Sequence, residues 1–247
     1  MVEAITLTGM VLSAMPIGDY DKRLVILTKE RGRITVFAKG ARRQNSVLLA
    51  CCQSFTFGEF SVFESRSSYR LAQANVTNYF VELREDINSV YYGLYFCELA
   101  DYLAQENQDG TDILKLLYQS FRALIKNTID KRLIRYIFEL KIIAINGEAP
   151  QVFECINCGA TENLEYFSPT APGILCPSCR RAVEDGRKIS SATIFTMQYI
   201  LATEVVKLFN FTVKEEVLKE LGKCIDKYRK LVIERTMKSL ELLELLC

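Results

Sequence analysis

The chain of 247 residues contains no histidine. That removes the side chain most often used as a general base near neutral pH, and with it Ser/His/Asp triads and His-x-x-x-His metal sites. A Gly-rich phosphate loop of the Walker type is also missing, so nothing supports nucleotide hydrolysis. No uncharged run exceeds 15 residues (4–18, 44–58 and 189–203), which is short of the roughly 20 that a membrane span requires. The first ten residues include Glu3 and no basic segment, unlike a secretory leader. Repeats, low-complexity tracts and long linkers are lacking too. Nor is there a large net charge: 31 Lys/Arg against 30 Asp/Glu leave +1, so any surface for a polyanion must be local. A soluble, cytoplasmic protein is expected.

Cysteine, by contrast, is plentiful. There are nine, an odd number spread as adjacent Cys51 and Cys52, Cys97 and Cys224 in helical patterns, the terminal Cys247, and four in two hooks. This distribution reads as free thiols in a reducing compartment. The hooks are Cys155-Ile-Asn-Cys158-Gly159 and Cys176-Pro-Ser-Cys179, separated by 17 residues. Such spacing lets each hook turn two thiolates onto one tetrahedral ion, with Gly159 free to take positive φ. Sulfur ligands favour zinc over calcium or magnesium, and four of them leave no open position for a catalytic water. A structural Zn²⁺ held by Cys155, Cys158, Cys176 and Cys179 is the leading reading. An iron–sulfur cluster, two disulfides, or one redox dithiol beside an incidental pair are the alternatives.

The first 79 residues read as strands: 5–12, 24–27, 34–37, 55–63 and 69–76, with an aromatic phase slip at Gly58 that predicts a β-bulge. An insert follows the third strand, and its residues 46–52 could form a short helix. Five short strands with that insert match an OB barrel, with an SH3-like barrel as rival. From Phe80 the apolar period becomes 3.6, with Leu83, Ile87, Val90, Tyr91, Leu94, Tyr95 and Leu99 on one stripe. Further helices are expected from Thr111, across 130–146 up to Gly147, and from Ser190/Ser191 to about Phe209. A capping box, Thr212-Val-Lys-Glu215, opens a last one that breaks near Gly222 or in the 230s. The fold class is thus α+β, an N-terminal barrel and then helices with an inserted metal module. Its expected divisions are 1–79, 80–154, 155–182 and 183–247, the second and fourth forming one helical domain.

Chemistry-bearing groups other than the cysteines are few. Asp19 and Asp21 could hold Mg²⁺ in a nuclease or other nucleic-acid-modifying enzyme, although such a pair in a Gly-containing turn ordinarily serves the turn. Glu85 and Asp86 read as a solvated helix face. A non-enzymatic protein is favoured. The basic residues are more informative: Lys22, Arg23, Lys29, Arg31, Arg33, Lys39, Arg42 and Arg43 fall within 22 residues that hold one acid, Glu30. Barrels that hold single strands combine a positive groove with aromatic stacking platforms, for which Phe37, Tyr20 and Tyr69 are candidates.

One ordered set of motifs runs through the chain: Val36-Phe37-Ala38-Lys39-Gly40-Ala41-Arg42-Arg43, then Phe138-Glu139-Leu140 leading to Gly147 and Pro150, then the Cys155 hook with Gly159, then Met237-Lys238-Ser239. In these the sequence resembles the bacterial RecO family of recombination mediators over essentially its whole length. The resemblance implies an OB domain, a helical domain and a zinc module. It also implies binding of single- and double-stranded DNA, and annealing of complementary strands coated by single-strand-binding protein. Partnership with RecR to load RecA, in the cytoplasm at the nucleoid, is implied as well. DNA contacts would come from Lys22, Arg23, Arg31, Arg33, Lys39, Arg42 and Arg43. The acidic tail of single-strand-binding protein would meet the helical domain, where Lys131, Arg132, Arg135 and Phe138 are candidates. Departures from the family pattern are Val47, Leu48 and Ser54 in the basic-loop region, and Pro172-Gly173 before the second hook.

Overall fold

The computed structural model describes residues 3–66 and 68–246; Cys247, read above as a free thiol, lies outside them. The chain divides into two compact units, one of residues 1–121 and 237–247, the other of residues 122–236. The first unit opens with five strands, β1 (Ile5–Ile17), β2 (Asp21–Thr28), β3 (Gly32–Ala38), β4 (Phe57–Glu64) and β5 (Tyr69–Asn78). They close in the order β1-β2-β3-β5-β4, with β3 and β5 parallel and the other pairs antiparallel. This is a five-stranded OB-type barrel. Strand alternation puts Leu7, Leu24, Ile26, Ile34, Val36, Phe60, Val62 and Leu71 inside. The register of β4 and β5 shifts between Phe57 and Gly58, as the phase slip predicts. A Cβ on Gly58 would lie 2.3 Å from the Asn75 carbonyl oxygen, so close strand approach as well as the bulge requires glycine there.

Residues 46–52 make turns and no helix. Ala41, Leu48, Cys51 and Cys52 of this insert instead join the barrel core, so packing dictates its path. Cys51, Cys52, Cys97 and Cys224 are buried free thiols.

The turn between β2 and β3 carries Gly32 at φ +60°. A Cβ there would meet the Gln105 carbonyl oxygen at 2.1 Å. Gly18, at φ +53°, has open space around the same position. Gly32→Ala is therefore expected to cost about 3 kcal/mol, combining left-handed strain with overpacking, and Gly18→Ala only about 1 kcal/mol. Urea unfolding midpoints of the two variants should differ accordingly; equal midpoints would contradict the steric account.

After the barrel, residues 81–84 form a single 3-10 turn and α1 (Ile87–Leu103) begins behind it. Asp86, read above as solvated, is the N-cap: its carboxylate accepts from the N–H groups of Asn88 and Ser89. The buried face of α1 holds Tyr92, Tyr95, Phe96, Cys97, Leu99 and Ala100, whereas Ile87 and Leu94 are exposed. The expected stripe is thus rotated. α2 (Thr111–Lys126) buries Ile113, Leu116, Leu117, Phe121 and Leu124 as its period predicts, and α6 (Lys238–Leu246) packs on α1.

In the second unit, α3 (Lys131–Ile145) is capped by Asp130 and ends before Gly147 at φ +91°. A four-stranded sheet follows, ordered β6 (Gln151–Cys155), β8 (Gly173–Leu175), β7 (Tyr166–Ser168) and β9 (Arg187–Lys188). α4 (Ser191–Ala202) starts on the Ser190 cap but stops at Ala202, where Thr203 turns extended, so it falls short of Phe209. α5 (Glu215–Val232) has Lys214 as its cap residue, with no side-chain hydrogen bond. The Thr212 capping box does not form, because Glu215 faces Arg132 at 2.9 Å and Lys219 at 3.5 Å instead. The break after α5 falls in the 230s. α3, α4 and α5 pack on one another. No described helix is long and apolar enough to cross a membrane.

Candidate metal centre and nucleic-acid interface

Both hooks sit at strand ends of the small sheet. β6 delivers Cys155, whose carbonyl accepts from the Gly159 N–H at 2.8 Å while its own N–H donates to the Ala160 carbonyl at 2.7 Å. Gly159 takes φ +73°, closing the knuckle. β8 leads to Cys176, and Pro177 opens the six-residue 3-10 helix that returns Cys179. All four Sγ atoms lie within 4.8 Å of one another, and those of Cys158 and Cys176 are 3.8 Å apart. A tetrahedron with metal–sulfur bonds of about 2.3 Å has edges of about 3.8 Å, so the thiols are spaced to share one ion. Among the described residues this is the one cluster of three or more Cys, Asp or Glu ligand atoms so disposed.

Charge favours a cation there. Burial opposes ionisation of Cys155, but the backbone N–H groups of Cys176, Asn157 and Cys158 outweigh it and bring the thiol down to about 6. At Cys158 the Ala160 N–H favours the thiolate, yet the neighbouring Cys155 and Cys179 sulfurs prevail and push it up to about 12. Four sulfurs this close cannot all ionise unless a cation neutralises them. Asn157 Nδ2 adds a hydrogen bond to Cys179 Sγ at 3.2 Å, the kind of outer contact that orients a ligand. Just beyond, the Arg180 guanidinium donates to the Val183 carbonyl at 2.9 Å and lies over the Tyr166 ring, while Arg181 is exposed.

The basic residues of the barrel fall into two groups at opposite ends of the β2–β3 hairpin. At the turn end, the Arg33 guanidinium is held by Asp101 of α1 and lies 3.7 Å from Glu106. Arg31 is half-buried beside it, and its carbonyl accepts from the Asn107 N–H. At the open end, Lys22 pairs with Ala38 and Arg23 with Phe37 across the strands. Lys22 Nζ donates to the Cys52 carbonyl at 2.7 Å.

Beyond β3 the loop bearing Lys39, Arg42 and Arg43 is fastened to the β1–β2 turn. The Arg42 N–H donates to the Tyr20 carbonyl at 2.8 Å, and Arg42 Nη1 lies 3.2 Å from the Gly18 carbonyl oxygen and 3.3 Å from that of Asp19. The Arg43 guanidinium sits 5.5 Å from the centre of the Tyr20 ring, which is 55% exposed. Tyr69, by contrast, packs on the barrel core. Asp21 Oδ1 accepts from the Gly40 N–H at 2.7 Å, the turn role that its setting favours.

The four residues considered for a protein tail share α3 but not a surface. Phe138 is fully buried. Arg135 is buried too, pairing with Glu139 at 2.9 Å and with Asp226. Arg132 is exposed and bridges Asp130 and Glu215, and Lys131 lies at the N-terminal end of the helix. Sequence spacing alone could not reveal the burial, because a charged residue four positions from Glu139 reads equally well as a surface pair.

The family profile Recombination protein O N terminal matches residues 1–80, and Recombination protein O C terminal matches residues 84–241. Among curated proteins, the DNA repair protein RecO of Acetivibrio thermocellus is 31% identical over 240 residues, 97% of this chain and 96% of the relative. That of Alkaliphilus metalliredigens is 32% identical over 236 residues, covering 95% and 96% respectively. That of Symbiobacterium thermophilum is 30% identical over 242 residues, 96% of each. With both profiles matched in order along a barrel, a helical body and a four-cysteine knuckle, the chain belongs to the RecO family.

Proposed function

We propose that this protein is a recombination mediator in DNA repair. It would bind single- and double-stranded DNA without sequence preference, anneal complementary strands coated by single-strand-binding protein, and act with RecR to load RecA. The observation that carries this reading, beside membership of the family, is the open end of the barrel. There Arg42 and Arg43 sit against exposed Tyr20 on a loop that also carries Lys39 and is held in place by hydrogen bonds, with exposed Arg23 on the adjoining strand. Cations so placed would neutralise phosphates and read no bases. Lys22 would support this end, while Arg31 and Arg33 would add to the field from the hairpin turn.

Annealing breaks no covalent bond, so the reading needs no acid, base or nucleophile, and the protein is taken to be non-enzymatic. Holding a coated strand near its complement raises the effective concentration of one for the other. In unit two, exposed Arg132 and half-buried Lys131 are the candidates for the acidic tail of single-strand-binding protein, with Arg135 and Phe138 supporting the helix from within. The four cysteines would hold a structural Zn²⁺ that shapes the sheet and takes no part in chemistry. The test is annealing of complementary oligonucleotides precoated with single-strand-binding protein. Rate enhancement by the purified protein is expected. Annealing no faster than without it, or Mg²⁺-dependent cleavage of the strands, would contradict the reading.

A further inference from the structure

Strand register creates a feature that the run of basic residues does not contain. Arg23 of β2 pairs with Phe37 of β3, Phe37 pairs with Arg70 of β5, and Arg70 pairs with Phe63 of β4. At the far side Arg23 also pairs with Met15 of β1, its Nη2 lying 3.9 Å from the Met15 sulfur. Of the neighbours of the four central residues along their strands, Leu24, Val36, Ala38, Val62, Tyr69 and Leu71 face or pack on the barrel core, and only Lys22 and Glu64, at or next to strand ends, do not. By alternation Arg23, Phe37, Arg70 and Phe63 therefore stand on the outer face. They form one row, cation, ring, cation, ring, spanning roughly 14 Å at about 4.8 Å per strand.

Both arginines are exposed, and among the described residues neither has an ion-pair partner. Both rings are half-buried, and the Arg70 guanidinium sits 4.8 Å from the centre of the Phe63 ring. Most of the rest of the outer β2–β3 face is closed, with Thr35 half-exposed. Val25 and Leu27, next in the outward series after Arg23, are buried, and Arg33 is tied to Asp101 on α1. Backbone bonds from Arg33 N to the Gln105 oxygen and from Gly110 N to the Lys29 oxygen seal that end.

We infer that the row Arg23–Phe37–Arg70–Phe63 is the track of a single nucleic-acid strand, its bases stacking on the two rings and its phosphates lying against the two guanidiniums. The inference rests on the proposed DNA binding by the barrel. It adds what the basic loop alone does not provide: preference for unstacked bases over duplex, because a ring can stack only on a base that has left its neighbour. Met15 extends the row onto β1, toward the strand that leads to Tyr20.

The chain has no tryptophan, so Phe63→Trp places a single indole on the track. Titrating this variant with an oligothymidylate in low salt is expected to quench its emission in parallel with binding followed independently by anisotropy. Phe63→Leu, which keeps an apolar side chain in the half-buried site, is expected to weaken single-strand binding about tenfold while duplex affinity stays within about twofold. Arg70→Gln should lower the magnitude of the salt slope by about one. If the oligonucleotide binds but the indole emission does not change, or if Phe63→Leu weakens single strand and duplex equally, the row is packing only and the basic-loop reading stands without it. If no oligonucleotide binds even in low salt, both readings fall.

Discussion

Chelating the ion proposed for the four-cysteine site is expected to unfold the sheet around it. The strands there are five, three, three and two residues long. The core beside the thiols consists of Cys155, Leu175 and Cys176, with partly buried neighbours such as Ile156, Leu164 and Tyr166. The strands also bury Val152, Phe167 and Ile174, but the cluster around the thiols is small against the entropy of ordering some thirty residues at about 1–2 kcal/mol each. A structural zinc contributes on the order of 10–16 kcal/mol of apparent binding energy, enough to decide the fold of such a module.

Hydrogen exchange before and after chelation is the direct measurement. The amides of Cys155, Glu165 and Ile189, which donate to Ala160, Leu175 and Glu165, should lose protection, while those of the barrel keep it. Cys176→Ser should act in the same direction. Full protection of the sheet after complete metal removal would contradict the structural role. Metal analysis should return one zinc per chain and no iron.

Reversing both charges in Arg42→Glu/Arg43→Glu is expected to lower affinity for DNA about a hundredfold near 0.1 M salt, through lost counterion release and new repulsion. The two residues are not equivalent. Arg42 spends its guanidinium on the carbonyls of Gly18 and Asp19, so its replacement also frees the loop. The Arg43 guanidinium lies over the Tyr20 ring and, among the described residues, makes no hydrogen bond, so it can reach a phosphate without breaking one. Arg43→Gln alone should therefore weaken binding several-fold with no change in unfolding midpoint, whereas Arg42→Gln should move both. Unchanged binding in the double variant would remove the loop from the interface.

How far these features are legible in the sequence depends on where their information resides. The hooks are local, and spacing alone predicts the thiol cluster. Ser190, Asp130 and Gly147 mark helix ends by chemistry confined to a few residues, and the structure places those ends accordingly. The barrel strands are found by alternation, although β1 extends to Ile17 because its pairing with β2 continues through Pro16 and Lys22.

The face of α1 is different. Its sequence is apolar nearly all round, so periodicity does not select the buried side, and tertiary packing turns Tyr92, Phe96 and Ala100 inward while Ile87 faces out. Helices with one apolar stripe, such as α2 and α5, show their faces plainly. Asp86 and Glu215 mislead in opposite ways: an acid read as surface is a cap, and an acid read as part of a capping box pairs with Arg132. The Arg–Phe row is invisible to any local reading, because Arg23 and Arg70 lie 47 positions apart and only register brings them to either side of Phe37.

The central claim, that the open end of the barrel grips the phosphate backbone irrespective of sequence, is tested most directly by one titration series. Affinity of the metal-loaded protein for two single strands of unrelated sequence would be measured from about 0.02 to 0.3 M salt. Two parallel lines of log K against log salt are expected, each falling with a slope set by roughly four to six phosphate contacts. A flat line, a different slope for each sequence, or no binding at the lowest salt would contradict the account.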